Sequence, residues 1–148
     1  MSNIFENLNA TGELSIVLTD ADGQIKDRKE VKNLVVTSGL GFIASRMKDA
    51  TAAVMSHMAL GSGGAATALG NTTLGAELGR VALTSTTVNA NQVQYVATFG
   101  AGVGTGAVTE AGIFNDAAAG TMLARTVFGV VNKEAGDTLT ITWTVTIS

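Results

Sequence analysis

The closing run of this chain, Thr138 to Ile147, alternates threonine with a large apolar residue without a break. An extended strand points successive side chains to opposite faces. Leu139, Ile141, Trp143, Val145 and Ile147 therefore share one face, and the threonines share the other. Threonine is polar yet β-branched, so it fits the wetter side of a sheet. A strand of this kind belongs to an antiparallel sheet with one face on the core, and the expectation for the whole chain is an all-β scaffold.

The rest of the sequence is read in the same terms. Residues 13–19 form a predicted strand with Leu14, Ile16 and Leu18 on one face. Asp20-Ala21-Asp22-Gly23 is a turn, since Asp bonds its own backbone and Gly accepts positive φ. These aspartates resemble the start of a calcium loop, but the glutamate required at its twelfth position is missing. Residues 24–36 return as the second arm of a hairpin with a polar middle, Lys26 to Lys32. Thr37-Ser38-Gly39 then offers N-cap oxygens to a short helix at 40–48, whose Leu40, Ile43, Ala44 and Met47 form an apolar stripe expected to close one end of the fold. Further strands are predicted at 54–60, 80–88, 93–99, 107–114, 122–128 and 137–147, separated by turn-forming clusters. The expected architecture is an antiparallel β-sandwich, jelly-roll-like, with one short helix. It spans residues 12–148 as a single domain after an N-terminal arm, residues 1–11, with Ile4, Phe5 and Leu8 as anchors on a neighbouring molecule.

Little in the chain points to catalysis. Cysteine is absent, which excludes disulfides and thiolate metal sites and fits assembly in a reducing cytoplasm. No basic-then-apolar leader and no apolar run of membrane-spanning length is present, so a soluble, non-secreted protein is expected. The net charge is −3 with scattered cations, unlike the basic footprint of a nucleic-acid binder. His57 is the lone histidine and has no G-x-S-x-G elbow to serve, so it reads as an outward polar residue on a strand. Gly61 to Ala66 matches G-x-G-x-x-A, but no helical period follows and no acidic residue is placed to hold a ribose. Glu77, Glu110 and the aspartates could converge as a glycosidase pair, yet Trp143, the natural sugar platform, lies on the core face. The expectation is a protein that is not an enzyme, with no catalytic residue, cofactor or metal assigned.

Charged residues make up 14% of the chain, against about 25% in ordinary soluble domains. Two readings follow: threonines solvate a compact β domain, or partner subunits cover much of the surface, since interface cores are depleted in charge. Glu110 and Arg125 stand inside otherwise apolar strands, and Glu77 and Arg80 flank the start of another. Charge on a buried strand is tolerated when paired. Glu110 or Glu77 is therefore expected to pair with Arg80 or Arg125, with ordinary solvent-facing charge as the alternative.

Five segments carry a resemblance. They are Met58-Ala59-Leu60-Gly61-Ser62-Gly63, Thr73-Leu74-Gly75-Ala76-Glu77-Leu78-Gly79-Arg80, Val108-Thr109-Glu110-Ala111-Gly112-Ile113-Phe114-Asn115, Gly120-Thr121-Met122-Leu123-Ala124-Arg125 and the closing strand from Asp137. Together they resemble a family of small virion structural proteins of tailed bacteriophages, of the capsid decoration (cement) or tail-fibre-like kind. The resemblance implies a β-sandwich that forms a homodimer or homotrimer and binds the phage major capsid protein on the outside of the shell, after assembly in the host cytoplasm. No nucleic-acid or membrane partner is expected, given the scattered cations and the lack of a membrane-spanning apolar run. Alternatives are a tail-fibre or baseplate attachment domain and a glycan-binding β-sandwich. In this setting the threonine side of the last strand, Thr140, Thr142 and Thr144, is also a candidate contact face between like subunits.

Overall fold

The computed structural model describes residues 8–148, so Ile4 and Phe5 of the expected arm lie outside the described residues. The elements are β1 (Ala10–Thr19), β2 (Ile25–Val35), α1 (Thr37–Lys48), β3 (His57–Gly61), β4 (Glu77–Ala82), β5 (Ser85–Asn89), β6 (Gln92–Phe99), β7 (Gly106–Phe114), β8 (Met122–Lys133) and β9 (Thr138–Ile147). Ala10 and Thr11, placed in the arm by sequence, already belong to β1.

The nine strands form one antiparallel sheet in the order β4-β3-β7-β8-β2-β1-β9-β6-β5. Two wings meet at β2, which pairs along its length with β1 but shares only two ladder pairs with β8, Leu34↔Arg125 and Val35↔Ala124. The sheet curls around that seam into a half-barrel, which corrects the expected sandwich of two stacked sheets. A second correction explains how the curl is held. The strand predicted at 80–88 is broken at Leu83 and Thr84, where it leaves one wing for the other. The Leu83 N–H donates to Ser56 O beside β3, and the Thr84 N–H donates to Val96 O on β6. Strands consecutive in sequence thus sit at opposite ends of the sheet order.

The alternation of β9 fills the inside of this curl. Leu139, Ile141 and Trp143 are fully buried, and Val145 nearly so. They pack with Leu14, Ile16 and Leu18 of β1, Ala97 and Phe99 of β6, Met58 and Leu60 of β3, and Ile113 and Val131 from β7 and β8.

Helix α1 begins at Thr37, before the predicted Leu40, and no side chain caps its N-terminus. The Ser38 hydroxyl instead donates to Met122 O on β8, and the Thr37 N–H donates to Leu69 O. The helix is also rotated from its expected seat. Of the stripe Leu40, Ile43, Ala44 and Met47, only Ile43 packs on the core, together with Phe42, while Met47 is 84% exposed. Gly39 is the buried helical residue. It lets the helix lie directly on the β8 backbone, and the stripe turns outward as a consequence.

Candidate interaction surface

The outer face of the wing β4-β3-β7-β8 is not left to solvent. Residues 62–76 run across it as a long connection without secondary structure and without a charged residue. Leu74 plugs this connection into a small second core of Val36, Ala59, Phe114 and Met122. Long structureless connections on a rigid scaffold are common carriers of binding function.

A buried ion pair beneath the connection holds it in place. Glu110 and Arg125 lie on neighbouring strands and are 0% and 2% exposed, with Arg125 Nε 3.1 Å from Glu110 Oε1. The Glu110 carboxylate also accepts N–H bonds from Gly63 (2.6 Å), Gly75 (2.7 Å) and Ala76 (2.8 Å). Arg125 donates to Ala65 O at 3.0 Å and to Asn71 Oδ1 at 3.1 Å. The acid thus grips both ends of the connection, and the guanidinium grips its middle. Gly63 is required by this approach, because a Cβ there would strike the Glu110 carboxylate. The G-x-G-x-x-A stretch therefore presents its Gly63 amide to an internal anion, not to a phosphate.

Burial is the strongest influence on Glu110 and works against its ionisation. The three amides and Arg125 outweigh it, and the carboxyl titrates below the ordinary glutamate range. A buried pair of this quality is held together by its hydrogen bonds as much as by charge.

Two further cations do the same for other loops. Arg80 forks onto Glu77, with Nη2 2.7 Å from Oε1 and Nε 3.2 Å from Oε2. Its Nη1 donates to Asp116 O and Ala119 O in the β7–β8 turn, at 3.0 and 2.8 Å. The guanidinium also lies 3.8 Å above the Phe114 ring centroid, a cation–π contact. Lys133 is buried, and its ammonium donates to Gly100 O (2.8 Å) and Asp137 O (2.7 Å), clipping the glycine-rich connection 100–105 to the end of β8. Burial lowers the Lys133 pKa, opposed by the charge of Asp137. Asp137 is itself held below the usual carboxylate range, first by its hydrogen bond from Lys26 at 2.7 Å. A chain with few charges thus uses Arg125, Arg80 and Lys133 to tie backbone carbonyls of its loops to the sheet.

The four candidate charges fall into two separate pairs, Glu110 with Arg125 and Glu77 with Arg80. Lys133 and Asp137 are loop-tying charges that the sequence does not single out, because residues 132–136 read only as a turn and Asp137 as the start of the closing strand. The available signal is phase, since Lys133 repeats the inward position of buried Val131 at i+2. Thr140, Thr142 and Thr144 are half-buried on the outer face of the other wing, opposite Val17, Ser15 and Glu13 on β1 and Thr98, Val96 and Gln94 on β6. Leu8 is 75% exposed and borders a hollow with Leu40 and Met47. His57 is half-buried on β3, with Nδ1 2.8 Å from the Ser56 hydroxyl. Trp143 and Tyr95 face the core, so neither offers an exposed sugar platform.

Arg80→Lys is expected to cost about 1–2 kcal/mol, because one ammonium replaces neither the fork nor the stacked plane. Hydrogen exchange should accelerate in residues 116–120 and leave β9 unchanged.

Scans against protein-family models, curated proteins and solved structures found no match to this chain.

Proposed function

We propose that this chain is a non-enzymatic structural protein of a tailed-phage virion, and that it decorates the outer surface of the capsid lattice as a cement protein. The observation that carries this reading is spatial. Four of the five segments that resemble phage virion proteins become β3, β4, β7, β8 and the ends of the connection between β3 and β4. Those segments contain both ion pairs, Glu110–Arg125 and Glu77–Arg80. The resembling residues therefore brace one surface: an uncharged, mostly exposed strip, residues 62–73, most of which lies between two of those segments and is fixed in shape before any partner arrives.

Such a surface suits contact with a repetitive protein lattice. A loop already ordered loses little conformational freedom on binding, and a strip without charge has no ions to desolvate. Binding to the assembled shell over separated capsomers stabilises the shell by mass action. The net charge of −3 suits an outer surface better than one facing DNA.

Quantitative staining of purified particles, before and after tail removal, tests the proposal. A cement protein should approach the copy number of the capsid subunit and stay with the heads. Low copy number, or loss with the tails, rejects it in favour of the tail-fibre or baseplate reading.

A further inference from the structure

Among the described residues, nine strands leave the curled sheet with two edges, β4 and β5, and the two are finished differently. The β4 edge carries Glu77 and Arg80, and its partner β3 shifts register at Gly61. The connection 100–105 also lies against the face of β4, since a Cβ on Gly79 would lie 2.8 Å from Gly104 N. Charge, irregularity and cover are the usual protections of a strand edge.

Among the described residues, β5 has none of them. Ser85, Thr86, Thr87, Val88 and Asn89 are all exposed, pair with β6 in unbroken register, and include neither proline nor charge. No charged residue occurs anywhere between Arg80 and Glu110. Charge also thins across this wing toward β5. On the outer face β2 exposes Lys26, Arg28, Glu30 and Lys32, and β1 bears Glu13, whereas β9 and β6 carry no charge.

We infer that β5 is a self-association edge, pairing antiparallel with β5 of a second copy about a two-fold axis. This specifies the homodimer that the family resemblance implies, but it rests on the edge and not on the capsid assignment. A two-fold contact sets residue i against residue j and j against i, so a charge at the axis would meet its own kind and one off the axis would need an opposite charge on the same edge. β5 carries no charge, so neither conflict arises. A register centred on Thr87 places Thr87 opposite Thr87, Ser85 opposite Asn89, and Thr86 opposite Val88 of the second copy. Thr86 and Val88 continue the inward row of Tyr95 and Val93. Val88, 70% exposed in the single chain, is thereby covered from the side. The contact is small, because five residues extend only about 17 Å. The dimer is therefore concentration-dependent, in the class of transient interfaces.

The absence of native cysteine makes the test direct. Antiparallel partners hold Cα atoms about 4.5–5.5 Å apart, within disulfide range. Under mild oxidation Thr87→Cys is expected to trap a covalent dimer, and Thr142→Cys, on the face of β9, is not. In sedimentation equilibrium Thr87→Lys should abolish the dimer with an unchanged thermal melt, whereas Thr142→Lys should retain it. The inference is overturned by a wild-type chain that stays monomeric at millimolar concentration. It is equally overturned by a dimer that survives Thr87→Lys, or by cross-linking at Thr142 but not at Thr87. Particle copy number reports on the capsid assignment separately and does not depend on any of these outcomes.

Discussion

Glu110→Gln is expected to destabilise the protein by about 3–5 kcal/mol, the range for breaking a buried ion pair from one side. In a domain of this size the melting temperature should fall on the order of 10 °C. The reason is a mismatch of donors. Four donor groups converge on the Glu110 carboxylate: Arg125 and the amides of Gly63, Gly75 and Ala76. Glutamine replaces one acceptor oxygen with a donor NH2, so at least one amide loses its partner and the buried guanidinium loses its counter-charge. The damage should be local in exchange experiments, with the amides of Gly63, Gly75 and Ala76 exposed first.

The same substitution predicts a pH dependence. The folded-state pKa of Glu110 is lowered, so its contribution is complete above the unfolded glutamate value of about 4.3 and is lost as pH falls through the folded value. Protonated glutamic acid and glutamine are alike in charge. The stability gap between wild type and Glu110→Gln should therefore be widest near neutrality and narrow steadily in acid. Chemical denaturation at a series of pH values measures it. A gap that is constant from pH 7 to pH 3 would show that the carboxylate charge is not what holds residues 62–76.

How far the sequence discloses this arrangement depends on whether a residue acts through periodicity or through distant contact. The inward row of β9 is legible because period-two alternation needs no knowledge of neighbours, and Leu139, Ile141, Trp143 and Val145 are buried accordingly. The charges at Glu110 and Arg125 are conspicuous because an ion inside an apolar strand requires a partner. Which acid meets which base is not legible, since strand order decides it. β7 lies between β3 and β8, which sets Glu110 beside Arg125, while Glu77 and Arg80 pair along β4. The grip on residues 62–76 is hidden for a similar reason: backbone amides carry no sequence signature. The half-barrel is hidden as well. A break at Leu83 and Thr84 leaves the β propensity of residues 80–88 intact while sending the chain from one wing to the other. The helix misleads by its own stripe, because the contact that orients it belongs to a residue with no side chain.

That contact gives the second large effect, from a pair of glycines two positions apart on α1. A Cβ on Gly39 would overlap the Leu123 carbonyl oxygen, which already accepts the Val36 N–H at 3.2 Å. β8 is paired on both sides, by β7 and β2, so this backbone cannot withdraw. Gly41 points into open space, where a Cβ would meet nothing within 4 Å. Helix propensity alone favours alanine over glycine at either site, by roughly 0.5–1 kcal/mol. At Gly41 nothing opposes that gain, and Gly41→Ala should stabilise by about this amount. At Gly39 the overlap dominates. Gly39→Ala should destabilise by about 1–3 kcal/mol, the cost of overpacking a filled site, and Gly39→Val by more, since its branched Cβ adds bulk against the same carbonyl. Lifting the helix also withdraws Phe42 and Ile43 from the core and breaks the Ser38 bond to Met122 O. Thermal melts of the two alanine variants should therefore shift in opposite directions, and equal upward shifts would mean that α1 does not rest on β8 through Gly39.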